Sequence, residues 1–269
     1  MTTRVALAGA SGKMGRLFTG IIESLDGYEL VASLGSKSDL SELDGADLVV
    51  DVTVPGVSQH IVDHAVSHGI NVLVGTSGWS ADRIASLERR LAELPGQGVV
   101  IIPNFSLGSV LATSLSTVAA RFFDSIEIIE AHRDTKVDSP SGTAVRTAEL
   151  ITRARGDRGP VSAPHIDQRA RGQQVASIPI HSLRLQGVVA RQQVVFGGTD
   201  EVVTITHDTI SPASYDHGIR LALDAARTAE GVIVGLDRLI DLGITTPGAP
   251  RPAAKPEDVS GQAAAATTL

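Results

Sequence analysis

Val5-Ala6-Leu7-Ala8-Gly9-Ala10-Ser11-Gly12-Lys13-Met14-Gly15-Arg16 runs from a short apolar strand through three glycines into a helix. The spacing is G-x-x-G-x-x-G. Gly9 permits the tight turn, Gly12 lets a pyrophosphate approach the backbone, and Gly15 lets helix and strand pack closely. The first N–H groups of a helix have no partner inside it, and with the positive dipole end they favour an anion. An ordinary βα turn shares this outline, but here strand and helix stand on the correct sides. The stretch predicts a dinucleotide site built from Gly9, Ser11, Gly12, Lys13, Met14, Gly15 and Arg16.

Outward from this turn, residues up to 103 alternate short apolar runs with helical segments. Val5–Ala8, Leu30–Leu34, Leu48–Val52, Val72–Val74 and Val99–Ile102 read as strands; Met14–Leu25, Val57–His68 and Ala81–Leu91 read as helices. Continuous apolar strands alternating with helices predict a parallel sheet covered on both faces. Beyond Pro103 the pattern changes. A helix over Val110–Phe122 precedes strands at Ile126–Ala131, Ile178–Leu185, Gln192–Phe196 and Val202–His207, with a helix at Ala144–Ala154 and a long loop from Gly156 to Gln174. This predicts an α+β second domain with an open mixed sheet. Gly218–Ala229 reads as a helix and Val232–Leu242 as a closing element. The expected division is 1–103 with 213–244 for the nucleotide, 104–212 for substrate and oligomerisation, and a disordered Pro- and Ala-rich tail over 245–269.

The end of the second strand reads the ribose in such folds. Val31-Ala32-Ser33-Leu34-Gly35-Ser36-Lys37 offers no carboxylate for a 2′-hydroxyl. Ser36 and Lys37, with Arg16, suit a 2′-phosphate, which favours NADPH while leaving NADH possible; the bland reading puts Lys37 in a solvated loop.

Composition narrows the classes. The chain has 269 residues, 42% of them hydrophobic, enough for one large or two moderate cores. A net charge of −7 argues against nucleic acid as the main partner. There are no cysteines, so disulfides and thiol chemistry are excluded. No apolar run is long enough to cross a bilayer, and the start lacks signal-peptide architecture, so a cytoplasmic protein without a membrane partner is expected.

The second informative stretch is Glu130-Ala131-His132-Arg133-Asp134-Thr135-Lys136-Val137-Asp138-Ser139-Pro140-Ser141-Gly142-Thr143-Ala144. It ends a strand with a His and two cations, turns through Pro140, and enters a helix at Ser141-Gly142-Thr143. Imidazole titrates near neutral pH and donates protons there. A Lys ammonium beside free helix N–H groups makes charge-assisted bonds to a carboxylate. Taken alone, His132 would be an ordinary strand-end histidine; with Lys136 and the helix start it becomes a candidate proton donor.

Together with Gly75-Thr76-Ser77-Gly78 and Pro103-Asn104-Phe105-Ser106-Leu107-Gly108, these two stretches resemble the dihydrodipicolinate reductase family, also called 4-hydroxy-tetrahydrodipicolinate reductases. Weaker similarity continues through His181-Ser182-Leu183-Arg184, Phe196-Gly197 and the helix after Tyr215. The resemblance implies a Rossmann-type nucleotide domain followed by a substrate and tetramerisation domain, with the C-terminal helix returning to the first. It implies reduction of a cyclic imine dicarboxylate by NAD(P)H in lysine and diaminopimelate biosynthesis, by a homotetramer. His132 would then be the general acid, with Arg133, Lys136, Ser141, Gly142 and Thr143 gripping a substrate carboxylate. Gly75, Thr76, Ser77, Pro103, Asn104 and Phe105 would line the nicotinamide.

The chain departs from the family pattern on the substrate side. Arg133 and Thr135 stand where histidines are usual, Arg191-Gln192-Gln193 replaces a His-x-Glu or similar polar stretch, and Pro212 replaces an Arg. These changes keep open a paralogue acting on another cyclic imine acid; a non-catalytic NAD(P)-binding regulator is the reading from another class. His60, His64 and His68 share one helix face at metal-compatible spacing. No Glu or Cys accompanies them, so a solvated face is the expectation and no metal is expected. Asp138 is read as ordering its turn and Asp134 as balancing Arg133. Trp79 either covers the nicotinamide pocket or simply packs, and Arg169 and Arg171 either reach the site or sit in a mobile loop.

Overall fold

The computed structural model describes residues 2–240. The expected tail over 245–269, and residues 241–244 of the preceding segment, lie outside the described residues.

The chain opens with β1 (Thr3–Ala8), α1 (Lys13–Glu23), β2 (Tyr28–Leu34), β3 (Leu48–Asp51), α2 (Pro55–Ser67), β4 (Asn71–Val74), α3 (Ala81–Leu91) and β5 (Gly98–Ile101). It continues through α4 (Leu107–Ala119), β6 (Ser125–His132), α5 (Gly142–Arg155), β7 (Gln173–Val175), β8 (Ile178–Arg184), β9 (Ala190–Gly198) and β10 (Glu201–Thr209), then α6 (Asp216–Arg227) and β11 (Gly231–Val234). Two sheets result. One is six-stranded in the order β11-β5-β4-β3-β1-β2 and parallel throughout. The other is mixed, in the order β10-β9-β6-β8-β7. The fold is therefore α/β, a doubly wound parallel sheet joined to an open mixed sheet, as the patterning predicts.

The parallel sheet forms because β3, β4 and β5 are short apolar runs buried at every position, with helices on both faces. On one side α1 and α6 bring Phe18, Ile22, Ile219 and Leu223 onto Leu7, Val50 and Val100. On the other, α2 and α3 bring Ile61, Val66 and Leu87 onto Val49 and Val72. Each fully buried side chain of this size contributes roughly 1.5–3 kcal/mol. The return of the chain is tied by Asn71. Its Nδ2 donates to the carbonyls of Ala226 and Ala229 at 2.9 and 3.2 Å, and its Oδ1 accepts from Gly98 N at 2.9 Å.

Among the described residues, helices cover the mixed sheet on one face only. Ile126, Ile128, Val194, Phe196, Ile178 and Ile180 point to α4 and α5 and pack on Ala144, Ala148 and Ile151. Two details differ from the expectation. The loop after α5 is broken by 3-10 turns at Gly156–Arg158 and Arg169–Arg171 and ends in the edge strand β7. The closing element is a sixth strand, β11, paired in parallel with β5.

Candidate active site

The parallel sheet reverses its strand order between β1 and β3, and ligands of doubly wound sheets bind outside the strand ends at such a point. The glycine turn sits there. Gly9 has φ +89° and a Cβ on it would lie 2.6 Å from Val52 O; a Cβ on Gly15 would run into the carbonyls of Gly9 and Ala10. At Gly12 a Cβ would meet only Gly9 O, at 3.3 Å, so the outer side of the turn is open. The α1 start has no side-chain cap and no acidic residue in its first turn. Among the described residues its first N–H groups, on Lys13, Met14 and Gly15, have no intrachain acceptor. These features fit a dinucleotide pyrophosphate. Arg16 is folded back, its Nη1 donating to Ser11 O at 2.5 Å.

Gly9 and Ala10 N–H both donate to Leu34 O, at 3.0 and 3.2 Å, which fastens the turn to the end of β2. Ser36 and Lys37 follow directly and are exposed. The next carboxylate, Asp39, caps its own 3-10 turn and accepts from Ser41 N and Ser41 Oγ. Those bonds hold it below the usual carboxylate range.

Two loops border the ends of the neighbouring strands. Gly75 N–H donates to Asp51 O at 2.8 Å, and a Cβ there would press on the Phe105 ring and Val52. Thr76 is buried, its Oγ1 accepting from Thr53 N at 2.9 Å. Ser77 lies exposed beside it. Phe105 is buried edge-to-face on Phe18, with centroids 5.4 Å apart, so its ring belongs to the core. Asn104 braces the start of α4 through Ser106 N and Ser109 Oγ, while Pro103 leads into it from β5. Trp79 packs on the α2 side and donates to Ser58 Oγ at 3.0 Å, the packing reading of that residue. Ser58 in turn donates to the buried Asp51, which also accepts from Thr53 N and Oγ1. Asp51, Thr53 and Ser58 were not foreseen as a unit; a lone Asp ending an apolar run was the available signal.

The second constellation lies at the end of β6. Glu130 and His132, two apart, share the helix-covered face. Glu130 is fully buried. It accepts from both Arg184 terminal nitrogens, at 2.9 and 3.0 Å, from Ser141 N at 3.2 Å, and bonds His132 Nδ1 at 2.6 Å. Burial alone would push this carboxyl up, but bonds from Arg184, Ser182 and His132 outweigh it and hold the pKa below its ordinary value. An ionised carboxylate only accepts, so His132 Nδ1 carries the proton and Nε2 is left to exchange one. Sequence reasoning missed Glu130 and Arg184. The i, i+2 spacing of Glu130 and His132 was the visible clue; Arg184 arrives only through the β6–β8 register, His132 opposite Arg184.

Lys136 and the α5 start stand beside this pair in the chain. Ser141 caps α5, its Oγ accepting from Ala144 N at 3.3 Å, while Gly142 and Thr143 begin the helix. Lys136 Nζ is held by Asp138 at 2.6 and 2.8 Å. The Lys136 bond keeps Asp138 below the usual carboxylate range. Asp138 thus pairs with the Lys rather than merely ordering the turn, and no ion pair joins Asp134 to Arg133 among the described residues. Arg133 is exposed. Arg191 lies opposite Ala131, on the open face and away from His132, 3.6 Å from Asp208. Arg171 is not adrift in a loop, since it pairs with Glu127 on that same open face.

Known proteins match the chain over nearly all of its described residues. Residues 3–105 match the family described as "Dihydrodipicolinate reductase, N-terminus", and 108–240 match "Dihydrodipicolinate reductase, C-terminus". A 4-hydroxy-tetrahydrodipicolinate reductase from Clavibacter sepedonicus is 67% identical over 90% of this chain and 87% of its own length. One from Streptomyces griseus is 42% identical over 89% of this chain and 98% of its own. Among solved structures, dipicolinate-bound dihydrodipicolinate reductase from Paenisporosarcina sp. TG-14 superposes with a TM-score of 0.77 at 29% identity, covering 89% of this chain and all of that one. An amine dehydrogenase from Mycobacterium smegmatis, at 11% identity and TM-score 0.62, shares the fold alone.

Proposed function

The chain belongs to the dihydrodipicolinate reductase family, and on that premise we propose that it reduces 4-hydroxy-tetrahydrodipicolinate to tetrahydrodipicolinate in lysine and diaminopimelate biosynthesis. It is a pyridine-nucleotide-dependent oxidoreductase with a small-molecule substrate. The observation that carries the assignment of roles is the buried Glu130, which holds His132 and the α5 start, while its partner Arg184 also donates to the carbonyl of Asp138, Lys136's own partner.

The coenzyme, when bound, supplies hydride to the conjugated imine. The backbone from Gly9 to Gly15, with Ser11, Lys13 and Arg16, holds its pyrophosphate. Gly75, Thr76 and Ser77, with Pro103, Asn104 and the backbone of Phe105, would line its nicotinamide end. His132 gives the balancing proton from Nε2 while Nδ1–H stays on Glu130. Lys136 exchanges Asp138 for a substrate carboxylate, which Gly142 and Thr143 N–H groups then receive. Arg133 supplies a further cation at the rim. In this division residues 1–103 and 213–244 bind coenzyme, and 104–212 bind substrate.

NADPH is the preferred coenzyme, with Ser36 and Lys37 on the 2′-phosphate and no carboxylate free at the end of β2. The working form is a homotetramer of the cytoplasm; the uncovered face of the mixed sheet, with Leu183 and Val202 exposed, supports assembly through it. Among the described residues no helix is long and apolar enough to cross a membrane.

Purified protein is expected to oxidise NADPH when given freshly generated 4-hydroxy-tetrahydrodipicolinate. Silence with that substrate and turnover of another cyclic imine acid would establish the paralogue instead. Binding of coenzyme without turnover of any would leave a regulator. Lys37→Ala is expected to weaken NADPH about tenfold, roughly 1.4 kcal/mol, and NADH hardly at all; equal losses measured by titration would remove Lys37 from the 2′-phosphate.

A further inference from the structure

Outside the residues assigned above, Asp44, His64 and His68 meet where the 3-10 turn Leu40–Leu43 packs against the end of α2. Their ligand atoms all lie within 4.8 Å of one another. His64 Nε2 is 2.8 Å from Asp44 Oδ1, and His68 Nε2 is 3.9 Å from the same oxygen. The rings stack with centroids 4.2 Å apart. The one carboxylate within α2, Asp63, pairs with Arg90, so the carboxylate beside these rings comes instead from a residue twenty positions before His64.

We propose that Asp44, His64 and His68 form a surface site for a divalent transition cation of the Zn2+ or Ni2+ class, with water completing the coordination.

Three observations converge. The first is the tautomer of His68. Its Nδ1 lies 2.8 Å from the His64 carbonyl, which can only accept, so Nδ1 carries the proton and the Nε2 lone pair faces Asp44. Metal-bound imidazoles are oriented in this way by a bond from the other ring nitrogen. The second is spacing. Tetrahedral zinc with bonds of about 2.0–2.1 Å sets its ligand atoms roughly 3.3 Å apart. The separations of 2.8 and 3.9 Å straddle that value. His64 needs only to move its proton from Nε2 to Nδ1, releasing its bond to Asp44. The third is field. His68 is the C-cap of α2, so the site lies at the negative end of the helix, beside a carboxylate. Imidazole with one carboxylate selects borderline cations over Mg2+ or Ca2+. Asp44 and His68 are each nearly half exposed, which leaves room for water ligands. A bound cation would clamp the β2–β3 connection, which begins with Gly35-Ser36-Lys37, onto α2.

The test uses the full-length protein, freed of metal by chelator and titrated with Zn2+ alone against a chromophoric competitor. One cation per chain is expected, together with a higher melting temperature. His68→Ala and Asp44→Asn should each weaken binding at least about tenfold and abolish the thermal gain. His60→Ala, one turn earlier on the same helix, and His132→Ala should bind as the parent does. All these residues except His132 form only exposed contacts, so melting of the metal-free variants checks that they fold. Absence of a stoichiometric cation, or parent-like binding by both site variants, overturns the site. So does an equal loss in His60→Ala.

Discussion

β6 carries two Glu–Arg–His groupings on opposite faces, and they are chemically alike yet differently placed. Glu130 joins Arg184 and His132 under the helices; Glu127 joins Arg171 and His181 on the open face. Both carboxyls are held below their ordinary values, in each case against the upward push of burial, by the guanidinium and imidazole beside them. What differs is water. The Glu130 side chain is 0% exposed and that of Glu127 34%. In the dry position a carboxylate must keep all its partners, so it fixes a ring; in the wet one solvent replaces any partner lost. The same three residue types therefore make a fixed imidazole on one face and a loop anchor on the other.

The sharpest way to break this contrast is through the two histidines. His132→Ala is expected to lower kcat by roughly 10²–10⁴-fold, with coenzyme affinity little changed. His181→Ala should stay within about twofold of the parent. Steady-state kinetics with coenzyme titration separates the two, and equal losses of turnover and coenzyme affinity in His132→Ala would reassign its role.

Glutamate replacement comes next. Glu130→Gln removes the fully buried charge that Arg184 and His132 share and is expected to destabilise by roughly 3 kcal/mol. Glu127→Gln should cost less than about 1 kcal/mol in urea unfolding. Comparable values for both would mean that burial does not distinguish the faces.

The smallest effect is the pH response. A carboxyl with a depressed folded-state pKa contributes stability that is present above its unfolded value and is lost as pH falls through the folded value. The advantage of the parent over Glu130→Gln should therefore be full near neutrality and shrink below about pH 4, measured as urea midpoints. The corresponding advantage over Glu127→Gln should fade in the same direction but also with added salt, because its partners are hydrated.

Much of this was legible because it is local. The glycine turn, the buried parallel strands and the Ser141 helix start each announce themselves within a dozen residues. The β7–β8 hairpin escaped because its two-residue turn, Ala176-Ser177, takes positive φ at both positions without the Asn-Gly signal of such turns. Glu130 read as one more strand residue until register brought Arg184 beside it. Arg191 looked like a departure within the site, yet strand alternation turns it to the other face. Lys136 was expected to be free for substrate and instead holds Asp138, a partnership between near neighbours that spacing alone does not reveal.

The stitch made by Asn71 has a consequence for how the protein is made. Its amide spans β5 and the carbonyls that close α6, and β11 then pairs with β5. A ribosome therefore releases every strand of the mixed sheet before the parallel sheet can complete its edge. Its edge strand and last helix are among the final elements described in the chain, and Asn71 is one point at which they are fastened to strands made much earlier.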